Sequence, residues 1–311
     1  MIDLGLVVAR LLHYVAVATL AGASFFPLYV YADAEPIALF RWRQRVLLAA
    51  AIAALLSAIL WFVFSVASMS GNLADVGDRE VLWTVVHDTR FGSVWIGRLV
   101  LSIIMVGLFW NRVASKIGPR SDVLTPVLAT VLLISLAGVG HAQIEEGIEG
   151  IIHVLSDAAH LLAAGAWLGG LVPLGYILPL NGRENRSGQE SDLDEILLRF
   201  SGMGYVAVAT LIGSGLVNSW FLIGNISRLF ATPYGQLLIV KLGLFAGMLA
   251  LAVSNRFWIV PSLTKARTDD QSASTTLTTK LRHHVLGEQF LGLMVLLVVS
   301  VLGTMQPAIG Q

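Results

Sequence analysis

The sequence predicts an all-α, polytopic membrane protein, a bundle of eight transmembrane helices with both termini on the periplasmic side. Three observations support this fold class. Apolar residues make up 56% of the 311-residue chain and charged residues only 13%, which is more apolar surface than one soluble core of this length can bury. The apolar residues fall into eight runs, each of a length that suits about 30 Å of hydrocarbon. The Lys and Arg residues are divided unevenly between the two sides of these runs.

The eight apolar runs define the predicted helices. They cover about residues 4–31, 46–68, 93–113, 123–141, 151–179, 196–224, 236–261 and 285–306. We treat the whole chain, 1–311, as a single integral membrane domain. The first run lacks the basic start of a secretory signal, since Asp3 precedes it and Arg10 lies inside it, so we expect a retained helix. The connection 69–92 mixes apolar and charged residues and predicts a short helix on the membrane surface.

The positive-inside rule gives the orientation. The connections after the first, third, fifth and seventh helices contain fourteen Lys and Arg residues: Arg41, Arg43, Arg45, Arg112, Lys116, Arg120, Arg183, Arg186, Arg199, Arg256, Lys265, Arg267, Lys280 and Arg282. The opposite side contains only Arg79, Arg90 and Arg228, and its loop after the fourth helix is acidic. We therefore expect both termini in the periplasm.

Composition excludes several classes of function. The formal net charge is zero, which gives no indication of a nucleic-acid partner and leaves the lipid bilayer as the predicted environment. The chain has no cysteine, so thiolate metal sites, iron–sulfur clusters and cysteine nucleophiles are excluded. The phosphate-binding pattern GxxxxGK[ST] is also missing from the sequence. Any metal chemistry must use His, Met and carboxylate ligands.

A layer of ionisable residues is predicted inside the outer ends of the helices that run inward. Arg10, Arg98 and Lys241 lie about 8–12 Å deep at 1.5 Å per residue, and Asp157 and His160 lie at a similar depth. Buried ionisable groups are costly unless they are paired or hydrated, so the layer indicates an internal network or a cavity open to the outside. The alternative is that Arg98 and Lys241 extend to the lipid headgroups.

Histidines are concentrated on the same side, and four of them are our predicted metal ligands: His13, His141, His153 and His160. His153, Asp157 and His160 fall within about 60° on one helix face, which Trp167 continues. A rise of about 10.5 Å separates the two histidines and favours two stations over one chelate. The alternative for each is a packed, hydrogen-bonded histidine.

The predicted stations have specific neighbours. We expect the carboxylate of Asp157 to hydrogen-bond a histidine ring nitrogen and fix its tautomer. We also expect it to offset the buried charge of Arg10 or Arg98. The connection to the fifth helix places His141 beside His153, and equal distances from the helix starts allow His13 and His160 to face each other.

Several motifs resemble one family. The run HVLSDAAHLLAAGAWLGGL (153–171) is similar to the signature helix of the CopD family of copper resistance and copper import proteins. TRFGSVWIGR (89–98), GHA (140–142), YGQLLIVKLGL (234–244) and SNRFWIVP (254–261) resemble other stretches of that family in the same order. Glu288, with Leu302, Gly303 and Pro307, resembles its last helix. The likeness covers nearly the whole chain.

The resemblance implies copper handling at the bacterial inner membrane, beside a periplasmic copper-binding CopC-like protein, with Glu288 in the polar network. We expect import of copper ions from periplasm to cytoplasm through the histidine-lined outer site, and no enzymatic activity. Imidazole, thioether and carboxylate donors suit copper. A membrane potential negative inside favours inward cation movement by roughly 2.3 kcal/mol per charge per 100 mV.

Two other functions are compatible with the sequence. Histidines at matching depth, such as His13 and His160, can ligate b-type haem between facing helices, which would make the protein a haem-dependent oxidoreductase. A copper-delivery or assembly factor that transports nothing is the other alternative.

Overall fold

The computed structural model describes residues 2–32, 35–115, 122–139, 147–181, 190–269 and 271–310. The α-helices, numbered in chain order, are α1 (Ile2–Val30), α2 (Ile37–Ser70), α3 (Arg79–Asp88), α4 (Arg90–Ala114), α5 (Leu124–Ile134), α6 (Gly147–Asn181), α7 (Glu190–Ile223), α8 (Ile226–Ala231), α9 (Pro233–Ser254), α10 (Val260–Asp269) and α11 (Gln271–Leu302). A π-helical turn, Asn255–Ile259, joins α9 to α10. The regular elements in these ranges are all helical, which confirms the predicted all-α class.

Seven described helices are long and apolar enough to cross a membrane. The predicted fourth helix, 123–141, differs. It consists of α5 and a 3-10 segment, Ser135–Val139, and is too short to count among the seven. Where α5 ends, Arg98 donates to the carbonyl oxygen of Leu132 at 2.7 Å, so this turn has a hydrogen-bond donor from outside its own helix. Hydropathy alone does not reveal such a change of helix type.

Other helix ends extend past the predicted apolar runs. Helix α2 begins at Ile37 and α11 at Gln271. Both starts contain polar residues, so these turns are helical although they lie outside the apolar runs. Arg43, predicted in a connection, lies inside α2, where it is buried and forms an ion pair with Glu35. The connection 69–92 contains a 3-10 turn, Leu73–Gly77, and α3, which confirms the predicted short helix.

The chain is organised as two halves of similar architecture. Two large buried clusters form the core, one built mainly from α1, α2, α4 and α5 and the other mainly from α6, α7, α10 and α11. In each half the first helix packs against the second, α1 on α2 and α6 on α7. It also packs against the last, α1 on α5 and α6 on α11. Helix α1 is thus the counterpart of α6.

The halves meet where α1 crosses α6, at a reciprocal contact between small residues. A Cβ on Gly22 would lie 2.1 Å from the carbonyl oxygen of Gly165, and a Cβ on Gly169 would lie 2.2 Å from that of Ala18. Each glycine therefore faces the residue four positions before the other glycine, as across a twofold axis. Small residues spaced by four allow this close approach of membrane helices.

The counterpart helices α4 and α9 also begin alike. The Oγ1 of Thr89 accepts a hydrogen bond from the backbone N–H of Gly92 at 3.0 Å, and that of Thr232 accepts one from Gly235 at 3.1 Å. Both glycines lie against the backbone of the preceding short helix, where a side chain would collide. Arg98 and Lys241 each follow the capping threonine by nine residues, so they occupy equivalent positions.

Candidate metal centre

His13 is buried in the first half, and both of its ring nitrogens have protein partners. Its Nδ1 lies 3.0 Å from Ser57 Oγ and 3.1 Å from the carbonyl oxygen of Ala54. A carbonyl can only accept, so Nδ1 carries the proton. Its Nε2 lone pair then accepts from Nη2 of Arg98 at 2.5 Å. A metal ion at Nε2 would have to displace this arginine.

The side chain of Arg98 lies inside the helix bundle and does not extend to the lipid headgroups. The residue is only 2% exposed, and Nη1 donates to Leu132 O and to the hydroxyl of Ser135. Its guanidinium also lies 5.3 Å from the centre of the Trp95 ring. The alternative in which Arg98 extends to the membrane surface therefore does not hold.

His160 in the second half repeats the arrangement of His13 with one difference. Its Nδ1 lies 2.9 Å from Ser214 Oγ, and that hydroxyl donates to the carbonyl oxygen of Thr210 at 2.6 Å. The serine must then accept from Nδ1–H, which leaves the lone pair on Nε2. No hydrogen bond to Nε2 occurs among the described residues, so this nitrogen is oriented and available as a metal ligand.

The residue three positions before each histidine has opposite charge in the two halves. Arg10 precedes His13, and its guanidinium lies 5.0 Å from the centre of the Trp61 ring. Asp157 precedes His160, and its Oδ1 accepts from Nδ2 of Asn218 at 3.3 Å. Trp61 and Asn218 each follow the histidine-bound serine by four residues. The second half-site is therefore acidic where the first is basic.

Asp157 interacts electrostatically with Lys241 and His153. Two of its expected contacts, with His160 and with a buried arginine, can be compared with the structure. Ser214, not Asp157, holds the ring of His160, because the carboxylate turns to α7 and Asn218. The described ion pairs join Asp157 neither to Arg10 nor to Arg98, and Lys241 is the basic residue that interacts with it electrostatically.

The remaining predicted ligands differ in what the structure shows. His153 is 2% exposed and stacks on Phe221, with ring centres 4.7 Å apart. His141 lies outside the described residues. His13 contacts α2 and α4 whereas His160 contacts α7, so the two rings have different hydrogen-bond partners. In the described chain no three His, Asp or Glu side chains form a ready metal cluster.

Trp167 and Glu288 form a separate polar group further along α6. Trp167 Nε1 donates to Glu288 Oε2 at 3.2 Å, and Nδ2 of Asn255 donates to Oε1 at 2.8 Å. Glu288 is only 3% exposed. The seven residues from His160 to Trp167 correspond to about 10.5 Å of rise, so this group is distinct from the histidine site.

Sequence reasoning missed the serine and asparagine partners of the site. Ser57, Ser214 and Asn218 lie in predicted helices without a motif that marks them. The available signal was the repeat itself: aligning α1 with α6 and α4 with α9 pairs His13 with His160 and Arg98 with Lys241. Searching the second helix of each half for a matching polar residue then gives the two serines.

Comparison with known proteins identifies the family. The copper resistance protein D-like N-terminal domain matches residues 1–151, and copper resistance protein D matches residues 194–302. The chain belongs to the copper resistance protein D family. Copper resistance protein D of Pseudomonas syringae pv. tomato is 30% identical over 307 residues, 97% of this chain and 96% of that protein. The predicted family is confirmed.

Two further relatives support the same assignment. Inner membrane protein YebZ of Escherichia coli (strain K12) is 33% identical over 261 residues, 80% of this chain and 83% of YebZ. Copper transport protein CutJ of Bacillus subtilis (strain 168) is 31% identical over 249 residues, 78% of this chain and 44% of CutJ. No solved structure matches the chain. The protein is a copper-related, multi-pass protein of the inner membrane.

Proposed function

We propose that this protein imports copper ions from the periplasm to the cytoplasm and that His160 is a ligand on the way. The difference between the two half-sites carries the proposal. The Nε2 of His13 accepts from Arg98, whereas the Nε2 of His160 has no described hydrogen-bond partner. Relatives named for copper resistance and copper transport make copper the appropriate cargo.

Copper binding at His160 requires little rearrangement. The neutral imidazole already carries its proton on Nδ1, held by Ser214, so the ion meets a lone pair and displaces no proton from Nε2. The carboxylate of Asp157 one turn earlier adds negative charge. Before copper binds, Lys241 balances this charge; an arriving cation takes over part of that role. Imidazole nitrogen and carboxylate oxygen are donors that copper accepts.

His153 and Asp157 extend the proposed route toward the periplasmic side. Both share one face of α6 with His160, and His153 interacts electrostatically with Asp157. We assign His141 and His153 to the outer entry and His160 to the inner station. A periplasmic CopC-like protein would deliver the ion at this rim. Transport of this kind converts no substrate chemically, so we propose no enzymatic activity.

The membrane potential supplies a sufficient driving force. A potential negative inside favours inward movement of a cation by roughly 2.3 kcal/mol per charge per 100 mV. That corresponds to about a fiftyfold concentration ratio for a monovalent ion, since 1.4 kcal/mol is tenfold. Binding at His160 must remain weak enough for the ion to leave.

Copper uptake into sealed, right-side-out vesicles tests the proposal. We expect uptake to rise with an imposed potential negative inside, and His160→Ala to reduce it by about 10- to 100-fold. The double variant His283→Ala/His284→Ala, which changes two histidines outside the proposed route, should retain uptake. Unchanged uptake by His160→Ala would refute the assignment.

The same preparation separates the alternatives. Copper binding without uptake in the unmodified protein would favour a delivery factor. A Soret band in its optical spectrum would favour the haem protein and would contradict the copper role of His160.

A further inference from the structure

A second candidate site lies between α6, α7, α9 and α11, away from the histidines. It is a cavity of about 340 Å³, within the range of roughly 300–1,000 Å³ that is usual for small-molecule sites. Its walls are mostly apolar, with Leu174, Phe200 and Val208 among them. Tyr205 and Phe257 also line it and are more than half exposed. The cavity therefore opens on the side of the helix bundle that faces the lipid.

The first half has closed the equivalent gap. There α4 packs against α2, and Trp95 Nε1 donates to the carbonyl oxygen of Ala58 at 3.0 Å. In the second half the counterpart α9 packs mainly against α11, and Leu238, which has no donor, replaces Trp95. The opening between α7 and α9 is thus present in the second half, whereas the equivalent position in the first half is closed.

The buried carboxylate of Glu288 and the buried amide oxygen of Asn255 supply hydrogen-bond acceptors to the cavity. Glu288 lines it and already accepts from Trp167 Nε1 and from one N–H of the Asn255 amide. Asn255 is 9% exposed, and its Oδ1 has no hydrogen-bond partner in the described chain. A carboxylate has about four acceptor positions. An occupant therefore needs a donor on its head and an apolar body.

We propose that this cavity binds a lipid-soluble quinol, with a ring hydroxyl donating to Glu288 or to Oδ1 of Asn255. The flat ring suits a cavity lined by Phe200 and Trp167, and the tail would leave through the opening to lipid. The oxidised quinone offers only acceptors and would leave Oδ1 of Asn255 unpaired, so it should bind less well. The proposal concerns binding alone and does not rest on copper transport.

Equilibrium binding tests the head group. The full chain in lipid nanodiscs is immobilised under anaerobic conditions and incubated with decylubiquinol or decylubiquinone, with empty nanodiscs as background. We expect saturable binding of one quinol per protein and about tenfold weaker binding of the quinone. Glu288→Gln replaces one acceptor by a donor, so it should weaken quinol binding and reduce or reverse the preference.

A pair of glycine variants tests the location. Gly204 lines the cavity, and a Cβ added there meets nothing within 4 Å, so Gly204→Phe should fill the space without backbone strain and abolish saturable binding. Gly202→Phe on the same helix, also unobstructed and outside the cavity lining, is the control and should bind normally. The proposal would be overturned by equal binding of quinol and quinone, or by full binding to Gly204→Phe. It would also be overturned if an anionic lipid displaced the quinol, since Arg256 lines the cavity and can attract such a lipid.

Discussion

Arg98 and Lys241 occupy equivalent positions but act differently on the histidine beside them. The guanidinium of Arg98 reaches His13, Leu132 and Ser135 at once, which its fork of five donors permits. An ammonium is a compact charge without that reach, and Lys241 interacts instead with Asp157 and His160 through its charge. One residue type thus blocks a ring nitrogen and the other leaves it available.

Asp157→Asn tests the acidic character of the second half-site. The amide keeps the size of the side chain and can still accept from Asn218, but it removes the charge next to His160. We expect copper uptake in vesicles to fall by about 10- to 100-fold, as for loss of a group adjacent to a metal ligand. The variant should still fold and insert into the membrane, because the amide keeps the hydrogen bond with Asn218.

Lys241 provides the control for that variant. Asp157→Asn leaves the ammonium without its opposing charge, which can destabilise the bundle. Adding Lys241→Gln should then restore stability while uptake stays low. Recovery of uptake together with stability would mean that Asp157 acts only by balancing Lys241.

The crossing of α1 and α6 depends on two glycines that permit backbone contact. Gly22→Ala and Gly169→Ala would each place a methyl group within 2.2 Å of a carbonyl oxygen, so the helices must move apart. We expect each to lower the free energy of unfolding by about 1–3 kcal/mol. Thermal unfolding of the purified protein measures this change.

Gly213 is the matched control for the crossing. It lies in the middle of α7, and a Cβ added there meets nothing within 4 Å. Gly213→Ala should therefore leave stability unchanged or raise it slightly, because alanine favours a helix over glycine. Equal destabilisation by Gly213→Ala and Gly22→Ala would contradict a specific close contact.

Sequence patterns predicted the spanning helices better than their ends or their pairing. Apolar runs located every long helix because hydropathy follows burial in lipid, yet the polar starts of α2 and α11 and the 3-10 end after α5 carry no hydropathic signal. Depth along a helix placed His160, Asp157 and Lys241 in one layer. Rotation and partner choice depend on packing between helices, so the hydrogen bond between His13 and Arg98 was not predictable from spacing.

The two halves should have the same orientation in the membrane. The crossing of α1 and α6 is reciprocal, and the charge distribution predicts that both helices run inward from the periplasm. A reporter fused after Gln311 should be active in the periplasm, and one inserted near Gly188 should be active in the cytoplasm. The opposite pattern would place the His160 site in the cytoplasmic half.

A copper titration that compares His160→Gln with His13→Gln, each purified in detergent, tests the central claim most directly. Glutamine at position 13 keeps an amide oxygen that can accept from Arg98, so that variant should fold and bind copper like the unmodified protein. His160→Gln removes the available Nε2 and should weaken copper binding by about tenfold or more. Equal loss of affinity in the two variants, or loss in His13→Gln alone, would contradict the account.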